Sequence, residues 1–208
     1  MKIEKPSDNT EFEQIVRLIE DARSRALRQV NIELVTLNYQ IGQIVSGRVA
    51  NGVWGEKTVD ELADFIKSKM PELKGFTRRG LYRMKQFYET YLPDSECYKV
   101  WFQTQQNKPS PIVSTAVTQL QDEQNQQDTI VSALPTQLRN TFLSEVLTKV
   151  SWANHLEILS AAKHAEEKVF YLVMSAKENW SMREIRRQIN SSAFERTILS
   201  DKNSSEQF

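Results

Sequence analysis

The window from Lys74 to Tyr88 carries five basic side chains, Lys74, Arg78, Arg79, Arg83 and Lys85, and no acid; the flanking acids are Glu72 and Glu89. Cations gathered on a short segment are the chemistry that phosphodiesters attract, and arginine adds a planar fork that fits phosphate oxygens and guanine edges. Thr77 stands just before Arg78 as a candidate helix cap, so the first turn would offer free backbone N–H groups and the positive end of the helix dipole beside the arginines. Tyr82 and Gln86 add polar reach. The candidate DNA contacts are therefore Lys74, Thr77, Arg78, Arg79, Tyr82, Arg83, Lys85 and Gln86. Gly80 weakens this helix by about 1 kcal/mol relative to alanine and offers no side chain to a base. Two smaller basic patches are secondary candidates. Arg25 and Arg28, with Arg23, lie in the acid-free stretch from Ala22 to Ile32, and Arg183, Arg186 and Arg187 follow Ser181. Arg25 and Arg28 share a helix face, as do Arg183 and Arg187.

Catalytic chemistry finds little purchase. His155 and His164 are nine residues apart on one expected helix, about two and a half turns, and so point to opposite faces. With Cys97 the only cysteine, there is no Cys/His set for a metal. Glycine-rich phosphate loops and a Gly-x-Ser-x-Gly elbow are absent from the sequence. The carboxylate pairs Asp60/Glu61 and Glu166/Glu167 fall on charged helices, where solvation and capping account for them. No catalytic residue, metal site or cofactor is expected, and His155 reads as a packing residue.

The elements that must position the basic residues are all helical. Apolar residues Ile15, Leu18, Ile19, Ala22, Ala26, Val30, Leu34, Leu37, Ile41, Ile44 and Val45 recur at steps of three and four, which predicts a long amphipathic helix, or two in series, over 11–46. Gly47, Asn51, Gly52 and Gly55 mark a loop. Thr58 and Glu61 form a capping-box pattern opening a second helix, with Val59, Leu62, Ala63 and Ile66 inward and Pro71 as its stop. Lys74, Gly75 and Phe76 read as a tight connector. A third helix follows from Thr77 to Tyr91 with Leu81, Met84, Phe87, Tyr88 and Tyr91 as its apolar face. Two helices joined by a tight turn, the second basic at its start, is a helix-turn-helix-like arrangement over 56–91. Ser151 to Ala176 reads as one further long helix, and Ser181-Met-Arg-Glu184 as a second capping box.

Composition supports an all-α, multi-helix fold with this unit and the long N-terminal helix. Glycine and proline number six each among 208 residues, few for a turn-rich sheet protein. The expected organisation is an N-terminal helical region over 1–102, a glutamine-rich linker or insertion over 103–134, C-terminal helices over 135–199 that pack on the first region, and a disordered tail over 200–208. Formal charge is zero, from 27 basic and 27 acidic side chains, so any nucleic-acid affinity must come from sorted patches rather than from a polycation. No apolar run approaches a membrane span, no signal-peptide core is present, and one cysteine forms no internal disulfide; a cytoplasmic location follows as the default. Three readings stand: a DNA-binding module; a helical dimerisation or protein-interaction scaffold, with the long helix as a seam and Trp54, Trp101, Trp152 and Trp180 available at an interface; and a nuclease in its own right.

The run Val30-Asn-Ile-Glu-Leu-Val-Thr-Leu-Asn-Tyr-Gln-Ile-Gly42, then Trp54-Gly55, then the run from Pro71 to Tyr88 resembles the N-terminal domain of YhcG-type bacterial proteins. Ser151-Trp-Ala-Asn-His155, Phe170-Tyr171, the run from Glu178 to Ile189 and Phe194-Glu-Arg196 resemble the end of that domain, so the likeness covers about residues 15 to 200. The resemblance implies a helical, helix-turn-helix-like DNA-binding module that normally precedes a PD-(D/E)XK nuclease domain. It implies a nuclease partner in cis or from a neighbouring gene, and the expectation is that the nuclease domain is absent from this chain. The sequence departs from the family at Asn38-Tyr39, where Tyr-Trp is usual, and at Gly80, where Asn is usual.

Overall fold

A computed structural model of the chain describes residues 8–93, 95–106 and 146–205. Every regular element among them is a helix: α1 (Asp8–Ala50), α2 (Glu56–Lys69), α3 (Arg78–Tyr91), α4 (Glu96–Gln106), a 3-10 turn (Leu147–Lys149), α5 (Trp152–Ala161), α6 (Ala165–Glu178), α7 (Met182–Asn190) and α8 (Ala193–Ser205). The all-α expectation holds, and the long N-terminal helix forms unbroken, about 65 Å from end to end at 1.5 Å per residue. The glutamine-rich segment and the helix expected to resume at 135 lie largely outside the described residues. Helix α4 runs to Gln106, past the boundary expected at 102, and α8 runs to Ser205, into the expected tail; neither stretch contains the glycine or proline that would stop it.

The C-terminal part of α1 is the spine. Helix α3 lies along it, α2 flanks α3, and the 3-10 turn and α5 also touch α1. Two apolar clusters hold this together. One joins Val45 of α1, Val59 of α2, and Leu81 and Met84 of α3, with Ile41, Leu62, Ile66 and Phe76 against them. The other, larger one runs from Val35 and Tyr39 through Phe87 and Tyr91 to Trp101, Ile158, Val169, Leu172 and Ile185, and so ties α3 to every helix after it. The tryptophans pack here: Trp101 is buried, and Trp54, Trp152 and Trp180 are partly buried against the two clusters. Asn31 on α1 donates through Nδ2 to Thr148 O at 2.8 Å and Val150 O at 3.2 Å, which fixes the 3-10 turn to the spine.

Three local expectations change. Helix α2 starts at Glu56 with Gly55 as its cap and no side-chain cap, so the Thr58–Glu61 capping box does not form; Thr58 is already inside the helix. The helix expected from Ser151 to Ala176 divides at Ala162–His164, because the Glu167 carboxylate accepts from the backbone N–H groups of Lys163 (2.7 Å) and His164 (3.4 Å) and starts a new helix there. Ser181 does cap α7, accepting from Glu184 N at 3.3 Å, but the Glu184 carboxylate turns to Arg187 and Gln188 instead of back to the cap.

The expected apolar stripe of α1 also splits in function. Val35, Asn38, Tyr39, Gly42, Val45 and Ser46 face the body, whereas Leu34, Leu37 and Ile44 stay exposed on the other side. Gly42 sets the α1–α3 distance: a Cβ there would collide with the Met84 carbonyl and crowd Tyr88 Cβ. Gly42→Ala gains helix propensity of about 1 kcal/mol yet should destabilise the fold overall by about 1–3 kcal/mol, since backbone cannot yield as a side chain does. Urea melts of the two proteins check this; an alanine variant as stable as the parent would show that the helices are free to separate.

Candidate nucleic-acid interface

Helix α3 positions the basic cluster. Thr77, in extended backbone, accepts from Gly80 N at 3.3 Å and so caps the helix as expected. Leu81, Met84, Phe87 and Tyr91 bury one face, which leaves Arg79, Tyr82, Arg83 and Gln86 at the helical spacings of the opposite face. Arg79 and Gln86 are exposed, Arg83 is half-buried, and Tyr82 is half-buried against the second apolar cluster. Neither Arg79 nor Arg83 has an acidic partner among the described residues. Lys74 and Thr77 are exposed in the connector leading into the same end of the helix.

Two of the eight candidates are engaged elsewhere. Arg78 Nε lies 3.5 Å from Asp60 Oδ1 on α2, and its guanidinium sits 5.8 Å from the centre of the Tyr82 ring. Both partners of that ion pair are nearly half exposed, so the pairing is worth about 0–1 kcal/mol and can exchange for a phosphate. Lys85 Nζ is 2.8 Å from Glu89 Oε1, and that carboxylate also accepts from Ser46 Oγ on α1 at 2.7 Å. Hydrogen bonds and the Lys85 charge hold the Glu89 carboxyl below its ordinary value against the opposing effect of burial. Glu89 thus braces α3 on α1 through Ser46 and holds Lys85 at the edge of the outer face. Sequence reasoning missed Asp60 as a partner because it sits on a different helix, and it left out Lys67 and Lys69, which close α2 just before the connector.

The connector differs from expectation. Residues 70–77 separate α2 from α3, twice the three or four residues of a compact helix-turn-helix. Gly75 has φ +98°, a left-handed conformation that favours glycine. Gly80 is explained by the same loop: a Cβ there would strike the Gly75 carbonyl. Glycine at position 80 lets the connector fold over the first turn of α3, which outweighs the propensity cost read from the sequence.

The secondary patches separate. Arg186 grips Glu157 of α5 with both Nε (2.9 Å) and Nη2 (2.8 Å), and Arg187 bonds Glu184 at 2.7 Å. Hydrogen bonding from Arg186 lowers the Glu157 carboxyl and raises the guanidinium, a brace between α7 and α5. Arg183 is exposed and lies on the same helix, while Arg25 and Arg28 are exposed on α1, before the point where that helix meets the body.

His155 belongs to the core. It is fully buried, its Nε2 is 2.9 Å from Leu147 O, and its ring lies against Phe87 and Tyr91. Cys97 is buried and burial pushes its thiol up to about 11, so it is not poised as a nucleophile. Among the described residues, no three His, Cys, Asp or Glu side chains converge as a metal site, and no helix is long and apolar enough to cross a membrane.

A family model described as the DUF1016 N-terminal domain matches residues 14–125 and 135–196. No curated protein and no solved structure matches the chain.

Proposed function

The chain belongs to the DUF1016 N-terminal domain family, the YhcG-type family, and from that premise we propose that it is a DNA-binding module that targets or regulates a nuclease-type partner and contributes no catalysis itself. The observation that carries the reading is the outer face of α3, where exposed Arg79 and Gln86 flank half-buried Tyr82 and Arg83 beside a capped helix start and no acid intervenes on that face before Glu89. The capped first turn supplies backbone N–H groups and a favourable dipole for a phosphate, and the two unpaired arginines supply mobile charge. Lys74 and Arg78 lie at the same end, Arg78 exchanging Asp60 for the polyanion. Gly80 gives no base contact, so the face is built for backbone binding more than for reading sequence. The nuclease domain that the family resemblance implies would act in cis or be encoded by a neighbouring gene, with the helical module holding it to DNA.

A titration of a labelled 20-base-pair duplex tests this. Arg79→Ala/Arg83→Ala should weaken binding by roughly ten- to a hundredfold, as expected for two charge-assisted contacts of about 1–3 kcal/mol that are partly independent, while the melting temperature moves by only a few degrees, since Arg79 is exposed and the half-buried Arg83 holds no ion pair among the described residues. Duplex recovered after incubation with magnesium should be intact. Equal affinity of the double variant and the parent would remove α3 as the interface.

A further inference from the structure

Every residue described with its side chain from Thr10 to Arg28 is exposed, so among the described residues none buries the first part of α1, about 28 Å of helix. Helices in proteins are held mostly by packing of an apolar face, and a lone two-to-three-turn-per-ten-residue rod in water gains none of that. Yet this arm is strongly apolar on one side: Phe12, Ile15, Val16, Ile19, Ala22, Ala26 and Val30 follow one another at steps that keep them on a single face, and Ile19 is 53% exposed and Val30 64%. The stripe continues along the body as Leu34 and Leu37, on the side of α1 turned away from α3.

Charge is sorted along the arm. Its outer half, 11–21, holds Glu11, Glu13, Glu20 and Asp21 against Arg17, and its inner half, 22–32, holds Arg23, Arg25 and Arg28 with no acid. Halves of equal length and opposite net charge on one straight helix match a second copy only when that copy runs the other way. In parallel, acid would meet acid and base would meet base. We infer that the arm is a dimerisation element that pairs antiparallel with the arm of a second copy of this chain. The centre falls near Ile19 and Ala22, where Glu20 of one copy faces the basic half beginning at Arg23 of the other, and Phe12 of each approaches Val30 of its partner. The two-fold axis crosses the arm, outside the body, so two α3 faces are carried on one rigid rod. The inference needs no DNA and stands apart from the reading of α3.

Sedimentation equilibrium of the whole chain without DNA tests it. The parent should have twice the chain mass at micromolar concentration. Ile19→Asp, and separately Glu11→Lys/Glu20→Lys, should shift the protein to the monomer mass with unchanged core helices by near-ultraviolet circular dichroism. Adding Arg23→Glu/Arg25→Glu to the lysine variant should restore the dimer, since the charge halves are then exchanged. A monomeric parent, which is the result if a segment of the same chain covers the stripe, overturns the inference. So does a lysine variant that stays dimeric, or a fourfold variant that stays monomeric.

Discussion

Phe87→Ala should cost about 3–5 kcal/mol, the range for deleting a fully buried aromatic ring. Phe87 sits where the helices before and after it meet: its ring is 6.1 Å from that of Tyr39 on α1, 5.4 Å from Tyr91, 5.1 Å from Trp152 and 4.8 Å from His155, all edge-on. Removing it leaves four rings facing a void that none can fill without leaving another partner. A domain with about 5–15 kcal/mol in total would keep a small margin or unfold. Phe65→Ala, where the ring is 61% exposed, should change stability by no more than about 0.5 kcal/mol. Chemical denaturation of the two variants reads the contrast directly; comparable losses would mean that the α3 ring cluster is not the keystone of the core.

Acid should weaken the protein through His155. Burial lowers the imidazole from 6.5 to about 4, opposed by hydrogen bonds with backbone of Leu147 and Val150. The neutral ring donates from Nε2 to Leu147 O at 2.9 Å. Protonating it would place a charge among Phe87, Tyr91 and apolar side chains, with no acidic side chain acting on it among the described residues. Between pH 6.5 and 4 the unfolded chain therefore binds a proton that the folded chain refuses, so stability falls as pH falls through that window. The loss amounts to about 3 kcal/mol by pH 4, at 1.36 kcal/mol for each unit of the difference. Glu89 and Glu157, whose carboxyls are lowered below 4.5 by their partners, lose their contribution only at the acid end of the window and beyond. The fall from pH 6.5 to 5 thus isolates the histidine. His155→Leu should start less stable, through the unsatisfied Leu147 carbonyl, but with a flatter profile over that range. A parent whose stability is level from pH 7 to 4.5 would place a water path or a counter-charge at the ring.

Much of this is legible in the sequence. The apolar spacing in α3 is sharp because one face packs on α1 and α2 while the other meets solvent, so Leu81, Met84, Phe87 and Tyr91 announce themselves; so do the caps at Thr77 and Ser181, which are local. In α1 the same periodicity misled. Leu34, Leu37 and Ile44 form as good a stripe as Val35, Tyr39 and Val45, and nothing local says which stripe meets the body. The break at Ala162–His164 depends on Glu167 reaching backwards, which a run of good helix formers conceals. Within the candidate interface, helical spacing puts Arg79, Arg83 and Gln86 on one face, but pairing across helices, Arg78 with Asp60 and Arg186 with Glu157, is a tertiary matter. Gly80 was the clearest reversal: its reason is the carbonyl of Gly75 overhead, five residues away and invisible to helix propensity.

The most direct test of the account is the salt dependence of duplex binding. Each phosphate neutralised releases counterions, so log Kobs should fall linearly with log salt, with a slope of about −0.9 for each contact. The parent should give a slope of roughly −3 to −5, drawing on Lys74, Arg78, Arg79 and Arg83. Arg79→Ala/Arg83→Ala should flatten it by about one to two units with little change in melting temperature. A parent that does not bind the duplex even at low salt, or a double variant with the parent's slope, would contradict the account and leave the basic face of α3 a solvated surface.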